Sequence, residues 1–478
     1  MNVRAADGID FDPGSFRDRT GRVFFADGNV YRGLNATALE QWHVLSSRNF
    51  FRKLTAEGKL VRTEQVDSPV ALQQAGAHGW TGVLRHERIP FVSYPYEWCF
   101  SMLQEAAILQ LELLEAALQE GMILKDASPY NIQWQGTRPV FIDIPSFVSY
   151  EPGEPWAGYR QFCQLFLYPL FCTAYKGVPF HPWLRGSIAG IEPHDCWRLM
   201  SLRDLFRSGV LAHVYLHNRL QARYSDTRRD VGTEMRRAGF SRELILANVR
   251  GLLKTVRGLR WRSPETEWSH YDTVNTSYGV GELELKEAFV RRAAASRRWK
   301  LAWDLGANTG RFSRIVAEHA DCVVAMDRDY LAIERLYLQL KREGNSTILP
   351  LIMDLADPSV NRGWRGLERK AITDRSRPEL TLCLALVHHL VITAHIPLED
   401  FVRWLADLET EVVIEFVTRE DPMVQRLLRF RQEQFVEYDL PVFERSLAGC
   451  FAVAQKETLP GGTRVLYHLR PLAAHASS

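Results

Sequence analysis

A glycine-containing segment at residues 304–310, DLGANTG, follows an apolar run and has the residues to hold a nucleotide-like cofactor. Gly306 and Gly310 let the backbone approach a ligand closely, and a helix predicted from Arg311 presents N–H groups at its start. Asn308 breaks the G-x-G-x-x-G spacing of dinucleotide sites, and no lysine stands where a Walker loop needs one. The segment therefore predicts a nucleotide-type site without choosing the ligand.

Two acidic residues end further apolar runs in the same part of the chain. Residues 322–326 lead into Asp327, which lies 17 residues after Gly310, and residues 347–353 lead into Asp354. In nucleotide-binding α/β domains, a carboxylate at the tip of the second strand accepts hydrogen bonds from the ribose hydroxyls. Asp354 is suitably placed to meet an adenine amino group. The pattern therefore favours a nucleoside cofactor.

The elements that would position these residues alternate between strand and helix from about residue 265 to the end. Strands are predicted at 301–303, 322–326, 347–353, 380–386 and 411–417, with an antiparallel edge pair at 451–454 and 463–469. A helix is predicted after Asp421 and Pro422. This alternation is typical of an α/β Rossmann-like domain, here with a seven-stranded, mostly parallel sheet.

The pattern resembles class I S-adenosylmethionine (SAM)-dependent methyltransferases over roughly the last 200 residues. DLGANTG is similar to the D-x-G-x-x-x-G loop of that family, with Ala307 where cysteine is frequent. The resemblance implies that SAM is the cofactor and is bound by Asp304, Gly306, Ala307, Asn308, Gly310, Asp327, Asp354, Leu355 and Ala385. The alternative is a doubly wound domain that binds another nucleotide or none.

Two histidines, His388 and His389, follow the fourth predicted strand, beside the expected position of the SAM methyl group. Histidine titrates near neutral pH, so either residue is a candidate general base if the acceptor must lose a proton. A capping or packing role is the equal alternative. Glu415, inside the fifth predicted strand, is expected to be structural or at most to orient a substrate.

The absence of two sequence motifs limits the range of possible methyl acceptors. No [DNS]-P-P-[FY] motif follows the fourth strand, which disfavours transfer to the exocyclic amines of bases or to glutamine. No Pro-Cys pair supports covalent cytosine chemistry. The expected acceptor is therefore an oxygen or nitrogen of a small molecule, of natural-product type, or of a peptide.

The N-terminal half carries a second set of polar residues with a recognisable spacing. Asp126 and Asn131 form a D-x-x-x-x-N segment, and Asp143 follows twelve residues later at the end of a predicted strand. Phosphotransferases use such residues to orient the acceptor hydroxyl and to hold magnesium on the phosphates. With a hairpin predicted around Asp27-Gly28 and a helix at 101–120, residues 20–220 resemble the protein-kinase and aminoglycoside-phosphotransferase fold. The resemblance implies that Asn131 and Asp143 hold Mg²⁺ with ATP.

Three departures from that family lead us to expect a degenerate domain that shapes a substrate cleft. Leu124 stands where a histidine is usual, and Ile144-Pro145 replaces the common residues after the metal aspartate. No third strand bears a nucleotide-binding lysine; Lys53 and Lys59 are poor substitutes, and Glu40 is only a nominal partner. Active phosphoryl transfer, which would make the protein bifunctional, is the alternative.

Two longer patterns bear on the whole chain. KDASPYNI and VFIDIPSF upstream of DLGANTG and ALVHHL are together similar to bacterial nodulation-associated methyltransferases. Between the two halves, residues 223–262 hold eleven basic and four acidic residues, a net excess of +7. Because such a basic stretch suits phosphate contacts, an RNA methyltransferase is one alternative, and a non-catalytic nucleotide-binding scaffold is another.

Chain length, cysteine count and net charge bear on the domain organisation and the location of the protein. A chain of 478 residues predicts two or three domains, placed here at 1–222 (kinase-like), 223–264 (basic helical connector) and 265–478 (methyltransferase). Seven scattered cysteines suggest neither a zinc cluster nor a disulfide framework. With a net charge of +2 and no signal-like or bilayer-length apolar stretch, we expect a cytoplasmic protein without a membrane partner.

Overall fold

The computed structural model describes residues 10–66, 79–219, 241–262, 281–429 and 435–472. The chain forms two compact units. Unit 1 comprises residues 1–134, 139–263 and 362–369, and unit 2 comprises residues 135–138, 264–361 and 370–478. Residues 135–138 thus belong to unit 2, although the chain on either side of them belongs to unit 1. Residues 362–369 belong to unit 1, although the chain on either side of them belongs to unit 2.

Unit 1 begins with an antiparallel sheet in the order β1-β2-β3-β5-β4. Its strands are β1 (Asp10–Phe11), β2 (Gly21–Ala26), β3 (Asn29–Leu34), β4 (Thr63–Gln65) and β5 (Gly82–His86). Asp27 and Gly28 join β2 to β3 with φ angles of 49° and 77°. Two positive φ angles in a two-residue loop match the twist of the flanking strands, so the predicted hairpin is confirmed.

Residues 36–56 form two helices, α1 (Ala36–Ser46) and α2 (Asn49–Ala56). The hydroxyls of Ser46 and Ser47 donate back to the carbonyls of His43 and Val44, and Arg48 is extended with ψ 144°. Serine side chains compete in this way with backbone hydrogen bonds, which ends the first helix.

The long helix predicted at 101–120 is confirmed as α3 (Phe100–Gln119), which ends before Gly121 with φ 77°. Helix α8 (Arg242–Gly258) packs along it. Arg250 and Arg257 of α8 each lie 2.7 Å from a glutamate of α3, Glu115 and Glu112 respectively. Two arginines of the predicted basic connector are therefore engaged within unit 1, whereas Arg223, Arg228, Arg229, Arg236 and Arg237 lie outside the described residues.

Short strands after α3 hold the polar residues of the N-terminal half. They are β6 (Met122–Leu124), β7 (Ile132–Gln135), β8 (Arg138–Phe141) and β9 (Phe147–Ser149), with β6 paired to β9 and β7 to β8. Asp126 and Asn131 lie between β6 and β7, and Asp143 follows β8. This arrangement places the loop after β6 and the loop after β8 side by side.

The remaining described part of unit 1 is helical and rich in buried aromatic residues. It comprises α4 (Tyr159–Phe162), α5 (Tyr168–Lys176), α6 (His181–Gly186) and α7 (Pro193–Leu199). Wider π-helical turns occupy Cys163–Leu167 and Leu211–Leu216, and a 3₁₀ turn occupies Leu202–Phe206.

Unit 2 contains the predicted seven-stranded sheet, in the order β12-β11-β10-β13-β14-β16-β15. Its strands are β10 (Ala302–Leu305), β11 (Val323–Asp327), β12 (Ile348–Ile352), β13 (Leu380–Cys383), β14 (Glu411–Val417), β15 (Phe451–Thr458) and β16 (Arg464–Pro471). Strands β10 to β14 pair in parallel, and β15 and β16 form an antiparallel edge. The Rossmann-like fold class is therefore confirmed for this unit.

Helices connect these strands. They are α9 (Glu282–Ala294), α10 (Arg311–Ala317), α11 (Tyr330–Arg342), α12 (Ile372–Arg375), α13 (Leu398–Asp407), α14 (Pro422–Leu428) and α15 (Leu440–Ala448). The fourth strand ends at Cys383, earlier than the predicted Leu386, because Ala385 adopts a left-handed φ of 50°. Among the described residues, no helix is long and apolar enough to cross a bilayer.

Candidate functional site

The strand order of unit 2 reverses at β10, which has β11 on one side and β13 on the other. In open parallel sheets, ligands bind in the crevice outside the carboxyl ends of the strands at such a reversal. The loops that leave β10 and β13 at this edge are residues 306–310 and 384–389. These are the two segments that the sequence singles out for the cofactor and for the chemistry.

The loop after β10 needs glycine at both ends. Gly306 and Gly310 each have φ 78°, and a Cβ on Gly310 would come within 2.6 Å of a methyl group of Leu336. Between them Asn308 has a positive φ of 49°, which is a strained conformation for a residue with a side chain. The Oδ1 atom of Asn308 is buried and accepts no hydrogen bond within the part of the chain that the structure describes. The loop therefore has a strained backbone at Asn308 and a hydrogen-bond acceptor, Oδ1 of the same residue, that is unpaired within the described residues.

Asp327, at the end of β11, links the loop after β10 to strand β11 through its carboxylate. Its Oδ2 accepts the N–H of Asn308 at 2.8 Å, and its Oδ1 accepts the N–H of Asp329 at 2.9 Å. Burial raises the pKa of Asp327, and these two hydrogen bonds oppose the rise. Each carboxylate oxygen keeps a second lone pair. Asp327 therefore suits a pair of neighbouring hydroxyls, as a ribose has.

Asp354 and Leu355 follow β12 at the same edge, both partly exposed. The N–H of Met353 donates to the carbonyl of Asp327 at 2.9 Å, which aligns the ends of β11 and β12. One carboxylate oxygen of Asp354 accepts the N–H of Ala356 at 3.0 Å, which leaves the other for a ligand. The residues present therefore fit a nucleoside that extends from β10 towards β12.

Asp304 differs from the rest of the predicted cofactor set. It is 3% exposed, and its Oδ2 accepts a hydrogen bond of 2.5 Å from the hydroxyl of Ser313 on α10. Burial raises its pKa to about 6. Since Asp304 faces the start of α10 from inside strand β10, it supports the glycine loop from behind.

His388 and His389 follow β13, and His389 begins a π-helical turn that extends to Thr393. His388 is 1% exposed, and neither ring nitrogen makes a hydrogen bond within the described residues. Burial, with further contributions from His389, Arg464 and Lys286, holds the pKa of His388 well below its usual range. Burial lowers the pKa of His389 to about 4. Both rings are therefore neutral near pH 7 and are weak bases.

In unit 1 the structure brings Asp126, Asn131 and Asp143 together. Asn131 donates from Nδ2 to Oδ2 of Asp143 at 3.4 Å, and Arg32 of β3 donates from Nη1 to Oδ1 at 2.9 Å. Arg32 also lies 3.8 Å from Asp18. Burial, and next the charge of Asp143, raises the pKa of Asp126. No three histidine, cysteine or acidic side chains of the described ranges are arranged to hold a metal ion.

Comparison with known proteins identifies one relative along nearly the whole chain. The nodulation protein NoeA of Rhizobium meliloti (strain 1021) is 32% identical over 457 residues, which cover 95% of this chain and 94% of that protein. The chain belongs to the NoeA family. No known family profile matches it.

Solved structures resemble this NoeA-family chain only distantly. The N-methyltransferase NodS from Bradyrhizobium japonicum WM9, in complex with S-adenosyl-L-homocysteine (SAH), matches 43% of this chain and 97% of its own at 11% identity and a TM-score of 0.31. The magnesium protoporphyrin IX methyltransferase ChlM from Synechocystis PCC 6803, with bound SAH, matches 42% and 94% at 15% identity and a TM-score of 0.29. Likeness at these TM-scores carries no conclusion about activity.

Sequence reasoning missed a buried ion network behind the histidines of this NoeA-family member. Lys286 of α9 lies 2.6 Å from Glu415, Glu415 lies 3.0 Å from Arg464, and Arg464 lies 3.0 Å from Asp421, with every side chain at most 3% exposed. One signal was available: Lys286 shares a helical face with the buried Phe289 and Val290. Arg464 and Arg32 carry no comparable local signal.

The two lysines expected to be poor substitutes for a nucleotide-binding lysine make their ion pairs outside the polar cluster of this NoeA-family chain. Lys53 and Lys59 both pair with Glu57, and Lys59 also lies 3.1 Å from Glu112. Glu40 is exposed on α1. The cation that reaches Asp143 is Arg32 instead.

Proposed function

We propose that this NoeA-family protein is a SAM-dependent methyltransferase. The observation that carries the proposal is the strained turn at Asn308, which lies at the sheet reversal with its N–H bound to the carboxylate of Asp327. Strain of this kind persists where the surrounding structure holds it for a ligand. A ribose-binding carboxylate beside a glycine loop supports a nucleoside cofactor over a small anion.

The predicted cofactor residues have several different tasks in this proposal. Gly306, Ala307 and Gly310 leave room along the backbone, Asp327 holds the ribose hydroxyls, and Asp354 with Leu355 holds the adenine. Ala385 closes the crevice from the β13 side, and Asp304 keeps the loop in place through Ser313. SAM, when bound, supplies an electrophilic methyl group. The protein's own contribution is then chiefly to hold the acceptor in line, which supplies much of the rate in such displacements.

The acceptor in this proposal is an oxygen or nitrogen of a small molecule. Because the pKa of His389 is about 4 and its ring is partly exposed, we assign His389 to hydrogen bonding and orientation of the acceptor. His388, which is 1% exposed, has a packing role behind it. The pairing of Arg250 and Arg257 with glutamates of α3 supports a small acceptor over RNA.

We further propose that unit 1 has a kinase-like fold that has lost phosphoryl transfer and helps to bind the acceptor. The contact of Arg32 with Asp143 supports this, because a guanidinium already balances the carboxylate that would otherwise hold Mg²⁺. An ATP–Mg²⁺ titration by calorimetry tests it. Binding that is lost in Asp143→Ala would restore the kinase alternative.

Calorimetric titration with SAH tests the main proposal. Asp327→Ala should weaken SAH binding by roughly tenfold or more, because two charge-assisted hydrogen bonds are lost. Asp321→Ala is the matched control, since Asp321 pairs with Arg298 on the surface before β11. Equal SAH affinity in both variants would refute the cofactor site. Labelled SAM incubated with fractionated cell lysate then identifies the acceptor fraction, and the amount of label should fall with Asp327→Ala but not with Asp321→Ala.

A further inference from the structure

An exposed apolar surface lies in the helical part of unit 1, on the 3₁₀ turn Leu202–Phe206 and its neighbours. Phe206 is 95% exposed and Leu202 is 75% exposed. Leu199, Leu211 and Leu216 are also exposed, and the turns that carry Phe206 and Leu211 pack on each other. We name these five side chains the Phe206 surface. Large apolar groups this exposed on neighbouring elements indicate an interaction site.

The 3₁₀ turn is held firmly in the position that exposes these side chains. Asp204, 3% exposed, accepts hydrogen bonds of 2.7 Å from both the N–H and the hydroxyl of Ser201. It also lies 2.8 Å from Lys176 and 3.0 Å from Arg207. A 3₁₀ helix has three residues per turn, so the side chains two positions before and two positions after Asp204 both point away from it. These side chains are Leu202 and Phe206. Both therefore project outward from an anchored turn.

The charges around the Phe206 surface are mainly basic. Residues 193–219 contain Arg198, Arg203, Arg207 and Arg219 against the acids Asp195 and Asp204, a balance of four minus two, or +2. Arg198 and Arg203 are exposed, and within the described ranges neither makes an ion pair or side-chain hydrogen bond. The projecting apolar side chains are thus bordered by guanidinium groups available to an anionic partner.

We infer that the Phe206 surface binds the headgroup region of an anionic lipid bilayer. Leu202 and Phe206 would enter the boundary between headgroups and acyl chains, while Arg198 and Arg203 pair with lipid phosphates. A bilayer fits these side chains because it offers hydrocarbon for the exposed apolar groups and phosphate for the neighbouring arginines. This binding would be peripheral, and it revises the expectation from the sequence of no membrane partner.

Vesicle cosedimentation of the full chain tests the inference. We expect binding to mixed phosphatidylcholine–phosphatidylglycerol vesicles, weaker binding at high salt, and little binding to pure phosphatidylcholine. The double variant Leu202→Ser/Phe206→Ser should lower the partition coefficient by roughly tenfold or more. Arg198→Ser/Arg203→Ser should weaken binding and flatten its salt dependence.

The control is Leu244→Ser/Val453→Ser, which removes two apolar side chains that are about half exposed elsewhere and should bind like the parent. Unchanged thermal unfolding would show that the variants fold. The inference is overturned if Leu202→Ser/Phe206→Ser binds phosphatidylglycerol vesicles as the parent does, or if the parent does not bind them. Light scattering that shows a dimer lost in the same variant, without vesicle binding, would assign the surface to a second copy of the chain instead.

Discussion

Arg32 and Asp143 form an ion pair, with Nη1 of the arginine 2.9 Å from Oδ1 of the aspartate. The two residues are 111 positions apart, and both side chains are at most 20% exposed. Asp143 is the residue that the kinase resemblance would assign to Mg²⁺. The pair therefore bears directly on what unit 1 does.

Replacement of Arg32 should destabilise unit 1 and expose the carboxylate to metal ions. In Arg32→Met, the side chain of Asp143 keeps, among the described residues, only the 3.4 Å hydrogen bond from Asn131, so we expect a loss of about 1–3 kcal/mol in the free energy of unfolding. Mg²⁺ should then raise the melting temperature of the variant but not of the parent. Arg85→Met, which breaks an exposed pair with Glu64, serves as control. Equal stabilisation of parent and variant by Mg²⁺ would contradict the assignment.

The buried network in unit 2 should be costly to break. Glu415→Leu removes the carboxylate between Lys286 and Arg464, and breaking a buried pair in this way costs about 3–5 kcal/mol. Denaturant unfolding measures the loss. Glu457→Leu removes the partner of Arg292 on the surface and should cost less than about 1 kcal/mol. Similar losses in the two variants would show that the network is not energetically important.

Acid should destabilise unit 2 partly through His389. Its folded pKa is about 4, whereas an unfolded histidine titrates near 6.5. The unfolded state therefore binds a proton first as pH falls, and stability declines from about pH 6.5 down through about pH 4. In His389→Asn the loss between about pH 7.5 and about pH 5.5 should shrink by about 1 kcal/mol.

That pH comparison must be made between variant and parent. Burial raises the pKa of Asp304 to about 6, so this group acts in the opposite direction and loses stability as pH rises. The contribution of Asp304 to stability is the same in the variant and the parent, so it cancels when one free energy of unfolding is subtracted from the other. An identical pH dependence of unfolding in His389→Asn and the parent would rule out the lowered pKa.

Two glycine substitutions should change stability in opposite directions. Gly28 has φ 77° in the hairpin and no atom near the position of a Cβ, so Gly28→Ala should cost about 1 kcal/mol through backbone strain alone. Gly251 lies inside α8 with equally open space, so Gly251→Ala should stabilise by about 0.5–1 kcal/mol. Chemical unfolding of both variants measures the difference, and effects of the same sign would contradict it.

Local features of the chain could be predicted because they depend on neighbouring residues. The Asp27-Gly28 turn, helix α3 and the runs that end at Asp327 and Asp354 each follow from a few adjacent side chains. The predicted end of the fourth strand at residue 386 was wrong, because the left-handed Ala385 shortened β13.

The sequence by itself determined the parallel sheet of unit 2, its glycine loop and the acidic residues at the strand ends, because these are periodic or adjacent patterns. Only the tertiary structure decided that Arg32 meets Asp143 and that Lys286, Glu415, Arg464 and Asp421 form one network, since their separations range from 43 to 129 residues. It also decided that Phe206 faces outward. From sequence alone, a phenylalanine is expected to lie in the core. Whether its side chain is exposed depends on what the rest of the chain packs against it.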